Sequence, residues 1–265
     1  MRVVLMTSNE LRHRFAANRL AASMNMVGVV SEMKAPAASG SAPASVEDQR
    51  DVQKHFAERD EVERRFFGRE LNFPATGMLS ISSGEANSSQ VFEWVQRRDP
   101  DVIVLYGTSI IKPPLLTLYG ERMINLHLGL SPYYRGSGTN FWPLVNSEPE
   151  CVGATIHLAV AKVDAGAILA QVRPEAEISD RSHELGTKTL MAALDTLPRA
   201  TSLFLTKEIE PKSQDLSRGR VFRSKDFTAE SLRVMWRNFE SGMMREYLSE
   251  AAARCRAYPI VELEN

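Results

Sequence analysis

Short apolar runs alternate with longer stretches in which apolar residues recur every three or four positions. Arg2–Met6 and Met26–Val30 are apolar runs of strand length, and between them Leu11, Phe15 and Leu20 keep near-helical spacing, so the first thirty residues predict β–α–β. Thr7-x-x-Glu10 has the pattern of a capping box, which places a helix start there with free N–H groups and sets Arg12, His13 and Arg14 in its first turns. The charged run Glu47–Arg69 carries Val52, Phe56, Val62, Phe66 and Phe67 and predicts a long helix with a solvated charged face. A second β–α–β follows: Met78–Ser82, a helix with Val91, Trp94 and Val95 on one face, and Asp101–Tyr106, whose VIVLY core reads as buried on both faces.

Met123–Leu126 is the next strand. Val152–Val160 then alternates, with Val152, Ala154, Ile156 and Leu158 on one face and Gly153, Thr155 and His157 on the other. Asp164-Ala165-Gly166 turns into the strand Ala167–Val172, and Ser182 is placed to cap a long helix to about Leu205, with Leu185, Leu190, Met191 and Leu194 inward. The segment KAPAASGSAPAS, from Lys34 to Ser45, is expected to be a mobile loop. The alternation of strands and helices predicts an α/β fold with a doubly wound, mostly parallel sheet, whose ligands gather beyond the carboxyl ends of the strands. Residues 1–207 are expected to form the main domain and 208–265 a small, helix-rich carboxyl-terminal appendage.

Composition narrows the partners. With 32 basic and 33 acidic residues and a formal net charge of −1, no global field draws a polyanion, and nucleic acid is not an expected partner. Cys151 and Cys255 stand far apart without CxxC or His-rich spacing, so neither a disulfide framework nor a zinc site is signalled and no metal is expected. A reducing cytoplasm fits this usage. The amino-terminal apolar run is too short for a signal peptide or a membrane span, and no membrane association is expected.

The chemistry concentrates in INLHLGLSPYYRGSGTNFWPL, from Ile124 to Leu144. By strand parity Asn125 and His127 point the same way at a strand end, and Asp164 can come round from the neighbouring hairpin. An amide N–H suits a developing oxyanion, an imidazole donates a hydrogen bond or moves a proton, and a carboxylate orients that imidazole or accepts a proton through water. Such a set suits acyl transfer onto an amine, although three polar groups at strand ends are as readily satisfied structural groups. No G-x-S-x-G elbow occurs, and neither cysteine sits beside a histidine, so direct attack by a bound amine is preferred to a covalent enzyme intermediate.

Asn125-x-His127, Ser131-Pro132-x-x-Arg135-Gly136, Gly153-x-Thr155-x-His157 and Asp164-x-Gly166 resemble, in order and spacing, the signature of the formyltransferases that use 10-formyltetrahydrofolate. The likeness runs from about Asp101 to Leu190. It implies a Rossmann-like catalytic domain in which Asn125, His127 and Asp164 are the catalytic residues. Asn125 and His127 would stabilise the oxyanion, and Asp164 would keep His127 protonated. It further implies a folate held mainly by main-chain groups around Tyr106, Gly107, Ser109 and Ile110 and around Val160 and Val163. Thr155 and His157 are expected to support the triplet, Arg135 to hold the turn, and Tyr133 and Tyr134 to line the substrate side. His55 and His183 are read as structural, whereas Arg12, His13 and Arg14 are placed to meet a substrate phosphate. One departure stands out: relatives commonly carry Ser where this chain has Gly129, and Leu where it has Ser131.

The short appendage, the absent basic character and the Arg12-His13-Arg14-Phe15 helix start resemble the sugar-nucleotide branch. That branch implies a GDP- or dTDP-linked 4-amino-4,6-dideoxy sugar as acceptor, a role in lipopolysaccharide O-antigen or other surface glycan synthesis, and a cytoplasmic homodimer for which the last helices are the candidate contact. A formyltetrahydrofolate hydrolase and a methionyl-tRNA formyltransferase remain open as alternatives.

Overall fold

A computed structural model describes residues 1–34, 45–68 and 71–263. All but the ends of the expected loop from Lys34 to Ser45 lie outside them. The strands are β1 (Arg2–Ser8), β2 (Asn25–Glu32), β3 (Met78–Ile81), β4 (Val102–Tyr106), β5 (Met123–His127), β6 (Tyr134–Gly136), β7 (Ala154–Leu158), β8 (Ile168–Val172) and β9 (Arg220–Phe222). The helices are α1 (Leu11–Ala21), α2 (Val46–Phe67), α3 (Ser89–Gln96), α4 (Leu115–Tyr119), α5 (Trp142–Val145), α6 (Ser182–Leu205), α7 (Ala229–Glu240) and α8 (Met243–Ala257).

Seven strands form one sheet in the order β3-β2-β1-β4-β5-β7-β8. The first five are parallel, and the β7–β8 hairpin closes the edge antiparallel to β5. The expected doubly wound, mostly parallel sheet is therefore present. Strand parity builds its two cores. Val3, Leu5, Val102 and Val104 face Ala16 and Leu20 of α1 and Leu190, Leu194 and Leu197 of α6, while Val4, Met6, Ile103 and Leu105 face Val91 and Val95 of α3 and Leu115 of α4. Strand order reverses between β1 and β4, which opens a crevice beyond their carboxyl ends. No helix among the described residues is long and apolar enough to cross a membrane.

Three local expectations are corrected. Thr7 remains inside β1, fully buried, and its hydroxyl donates across the sheet to the Tyr106 carbonyl at 2.7 Å; no capping box forms, and α1 starts at Leu11 behind Glu10. Ser182 is the first helical residue of α6, not its cap; Glu184 satisfies that end by accepting from the Arg181 N–H at 3.1 Å. Met191 is 37% exposed because it lies one step of about 100° beyond the inward Leu190.

The residues after 207 pack onto the rest of the chain. Lys212 exchanges both backbone hydrogen bonds with Ile168 at 2.8 Å, β9 pairs with β6, and Arg233 of α7 bonds Asp48 and Asp51 of α2 at 2.7 and 2.8 Å. Leu232, Met235, Met243 and Met244 share a core with Leu144 and Leu185.

Candidate active site

Asn125 and His127 end β5 on one side of the strand, and the antiparallel register sets His157 directly opposite Asn125 and Thr155 opposite His127. The His157 Nδ1 lies 2.8 Å from the Leu158 carbonyl, so that nitrogen carries the proton and Nε2 accepts from the Asn125 amide at 3.0 Å. This bond fixes which way the amide points. Its Nδ2 also reaches Asp164 Oδ1 at 3.5 Å. Asp164 Oδ1 is 3.4 Å from His127 Nδ1 and 3.7 Å from His157 Nε2, and its Oδ2 accepts from the Gly136 N–H at 2.9 Å. Asp164 takes a left-handed φ of 46°, and two residues later a Cβ on Gly166 would fall 1.7 Å from the Leu158 carbonyl oxygen. Only glycine lets the turn close tightly enough to carry Asp164 over β5.

Thr155 is fully buried and donates to the Gly129 carbonyl at 2.7 Å while accepting from the Ser131 N–H at 2.9 Å and the Gln171 amide at 3.0 Å. It thereby fastens the turn after β5 to the hairpin. Arg135 is buried to 5% exposure on β6.

Burial raises the Asp164 carboxyl, but the His127 and His157 imidazoles and the Gly136 N–H outweigh it and hold the group down at about 2. Burial pushes His127 below its ordinary 6.5, and the Asp164 charge offsets this only in part. At neutral pH the pair rests as an ionised Asp164 beside a neutral His127, contrary to the expectation that the carboxylate keeps the imidazole protonated. Because burial favours the neutral ring and Asp164 the charged one, Asp164→Asn is expected to lower the His127 pKa further. An NMR titration of the His127 ring reads this directly, and an upward shift contradicts it.

The triplet opens into a cavity of about 530 Å³ whose wall includes Asn125, His127, Asp164, Tyr106, Gly107 and Val163. Ser109 lies just outside it: its N–H and hydroxyl bond Glu32 at 2.7 and 2.6 Å. Ile110, Val160 and Val163 are 57%, 44% and 41% exposed, but Ile110 and Val160 lie outside both this cavity and the neighbouring one.

The side chains expected to bind substrate separate. Arg12 lines the cavity with its guanidinium on Glu63 at 2.7 Å and on Glu10. His13 also lines it, but is 2% exposed, its ring 4.9 Å from that of Tyr106. Burial, with Arg12 beside it, drives its pKa well below 6.5, so it offers no cation to a phosphate. Arg14 turns away, bonding the carbonyls of Asn9 and Leu71 at 3.0 and 3.2 Å. Tyr133 and Tyr134 are likewise corrected: they pack into the core between the loop and the carboxyl-terminal segment, the Tyr133 hydroxyl on the Pro259 carbonyl at 2.8 Å and the Tyr134 hydroxyl on Glu148.

Two histidines read from the sequence as structural belong to the site. His55 of α2 and His183 of α6 stand 4.4 Å apart, ring to ring, in the cavity wall. Burial lowers their pKa values to about 3 and about 4, leaving both neutral. Thr139, Asn140 and Phe141 also line the cavity, while Trp142 starts α5 and stacks on Phe222 at 4.6 Å. Asn140 accepts from the Gly153 N–H at 2.9 Å, and its buried Nδ2 has no partner among the described residues. A second cavity of about 510 Å³ shares Arg12, Lys34, His55, Arg59 and Phe141 with the first and adds Phe56, Arg223 and Phe227.

A family model described as formyl transferase matches residues 1–201. Among curated proteins, a GDP-perosamine N-formyltransferase of Brucella melitensis is 32% identical over 117 residues, which is 44% of this chain and 45% of that protein. The match thus spans about half the length of the relative. Among solved structures, a sugar N-formyltransferase from a Shewanella species superposes with a TM-score of 0.55 at 19% identity, covering 86% of this chain and 78% of that one. A phosphoribosylglycinamide formyltransferase from Anaplasma phagocytophilum gives 0.55 at 17% identity, covering 79% and 89%. At these identities the two structures establish a shared fold.

Proposed function

The chain belongs to the formyl transferase family, and from that premise we propose that it moves a formyl group from 10-formyltetrahydrofolate to the amine of a nucleotide-linked amino sugar. The observation that carries this reading is the convergence of the Asn125 amide, the His127 imidazole and the ionised Asp164 on one cavity floor. The cavity is roomy enough for a small-molecule site, and the main chain at Gly107 and Val163 borders it.

The folate supplies an activated formyl carbon. Asn125 and His127 donate hydrogen bonds to its oxygen as the amine attacks and the oxygen becomes negative; that charge in turn favours a proton on His127. Asp164, ionised at rest, draws the proton off the attacking nitrogen through water and holds it only in passing, on its way to the leaving folate nitrogen. The new N–C bond forms as the bond from the formyl carbon to its folate nitrogen breaks, and a proton replaces the formyl group on that nitrogen. No metal enters these steps.

The second cavity supports the sugar-nucleotide acceptor. Arg12, Lys34, Arg59 and Arg223 surround it, and neither Lys34 nor Arg223 has a carboxylate within salt-bridge distance among the described residues. Phe56, Phe141 and Phe227 add aromatic faces, with ring centroids 5.2 to 5.8 Å apart. Free cations suit a diphosphate and aromatic faces suit a base. The name of the Brucella relative favours a GDP-linked amino sugar over a dTDP-linked one. Use of such a product in surface glycans such as O-antigen, and a cytoplasmic site of action where nucleotide sugars and folates meet, complete the proposal.

A panel of GDP- and dTDP-linked amino sugars incubated with formyltetrahydrofolate tests it by mass. One member is expected to gain a formyl group in step with tetrahydrofolate release. Formate released without any sugar would instead establish a hydrolase.

A further inference from the structure

We propose that Gln214 is a positioning residue for the formyl-transfer site and that residues 212–222 act as a strap that fixes Asp164 from both sides. The inference rests on the reading of Asp164 as part of that site. The strap lies beyond residue 201, where the family model ends.

The two N–H groups of the Gln214 side chain donate to the carbonyls of Asp164 at 3.0 Å and Gly166 at 2.6 Å. One amide therefore spans the turn that holds Asp164 in its left-handed conformation, with φ 46°. Such a conformation persists only where the surroundings enforce it. Upstream of Gln214, Lys212 is tied by two backbone bonds to Ile168, the first residue of β8, so the amide is anchored to the strand that follows the turn.

The other end of the strap governs the carboxylate. Arg220–Phe222 pairs in parallel with Tyr134–Gly136, and Ser137 N–H donates to the Phe222 carbonyl at 2.9 Å. The Gly136 N–H in that pairing donates to Asp164 Oδ2. One segment thus sets the backbone of Asp164 through Gln214 and its side chain through Gly136. The Gln214 side chain reaches neither His127 nor Asn125, so it acts through Asp164.

Gln214→Met keeps the length of the side chain and removes both donors. The expected result is a fall in kcat of about tenfold to a hundredfold, the scale of a misplaced catalytic group, with KM for both substrates within about twofold. The His127 titration is expected to move down in the same variant, because Asp164 recedes from it. A merely structural glutamine would lower thermal stability without moving that titration. Gln214→Glu, isosteric but unable to donate when ionised, is expected to behave alike, which keeps the test decisive if the Met variant does not fold. Gln90→Ala, at an exposed position of α3 outside the strap and both cavities, serves as the silent control. A folded Gln214→Met or Gln214→Glu protein with wild-type kcat and an unmoved His127 titration overturns the proposal. If wild-type protein transfers formyl to no acceptor, the formyl-transfer reading fails by itself, and the titration still reports whether Gln214 holds Asp164.

Discussion

Alanine in place of Asn125 is expected to lower kcat by about 10²–10³-fold, or ~2.7–4 kcal/mol of barrier, the usual cost of losing one oxyanion donor. The KM values should change little, because the bond at issue strengthens only as the formyl oxygen becomes charged. The truncation also leaves His157 Nε2 without its 3.0 Å partner, yet His157 is held from its other nitrogen by the Leu158 carbonyl, so the floor of the site should keep its shape. His127→Ala is expected to cost at least as much, since it removes a donor and the neighbour that helps hold down the Asp164 pKa. The double variant should fall less than the product of the singles, as the two donors serve one oxygen. Steady-state kinetics on folded variants decide the matter. Near-normal turnover in Asn125→Ala would remove that amide from the proposed chemistry.

The sheet was legible because its strands stood out as short apolar or alternating runs and strand parity needs no tertiary knowledge. The same parity found Asn125 and His127, two residues apart on β5, and the hairpin brought Asp164 to them. Parity could not say where long side chains near the motif would turn. Tyr133 and Tyr134 sit beside the motif in sequence but meet Pro259 and Glu148 in space, contacts made by distant parts of the chain. Arg14 departs from Arg12 by two helical steps, enough to swing it from the cavity to the Leu71 carbonyl. The protonation of His127 was misread because a neighbouring charge is visible in a motif, whereas the desolvation that outweighs it is a property of the fold. His55, His183 and Gln214 carry no local signal at all; they matter through the elements they face. Gly129 is the converse case, a visible departure whose reason is structural. A Cβ there would lie 2.5 Å from both His127 Nε2 and the Thr139 Cβ, so glycine leaves the room in which Thr139 packs beside His127.

Glu32 was equally silent in the sequence, and its replacement carries the second large expected effect. It ends β2 at 4% exposure, and its two oxygens accept four hydrogen bonds. Oε1 takes the Gly84 N–H at 2.7 Å and the Ser109 hydroxyl at 2.6 Å; Oε2 takes the Thr108 hydroxyl at 2.9 Å and the Ser109 N–H at 2.7 Å. These bonds outweigh burial and keep the carboxyl below its usual range, so the anion clamps the loop after β4 that is proposed to hold the folate through its main chain. Glu32→Gln is not a mild change here. Whichever way the amide turns, its NH₂ faces one part-buried backbone N–H, of Gly84 or of Ser109, that cannot rotate away, so a donor meets a donor and a charge-assisted hydrogen bond is lost. Both Glu32→Gln and Glu32→Ala are therefore expected to raise KM for the formyl donor by about tenfold or more, the equivalent of ~1.4 kcal/mol per decade. The pH dependence has a definite sign. A folded pKa below the unfolded one contributes stability that is complete above the unfolded carboxyl value of about 4.3 and is lost as pH falls through the folded value. Acid unfolding of Glu32→Ala should consequently lack this contribution, with the difference from wild type shrinking as pH drops through that window. Equal donor KM in wild type and Glu32→Gln would separate the loop from folate binding.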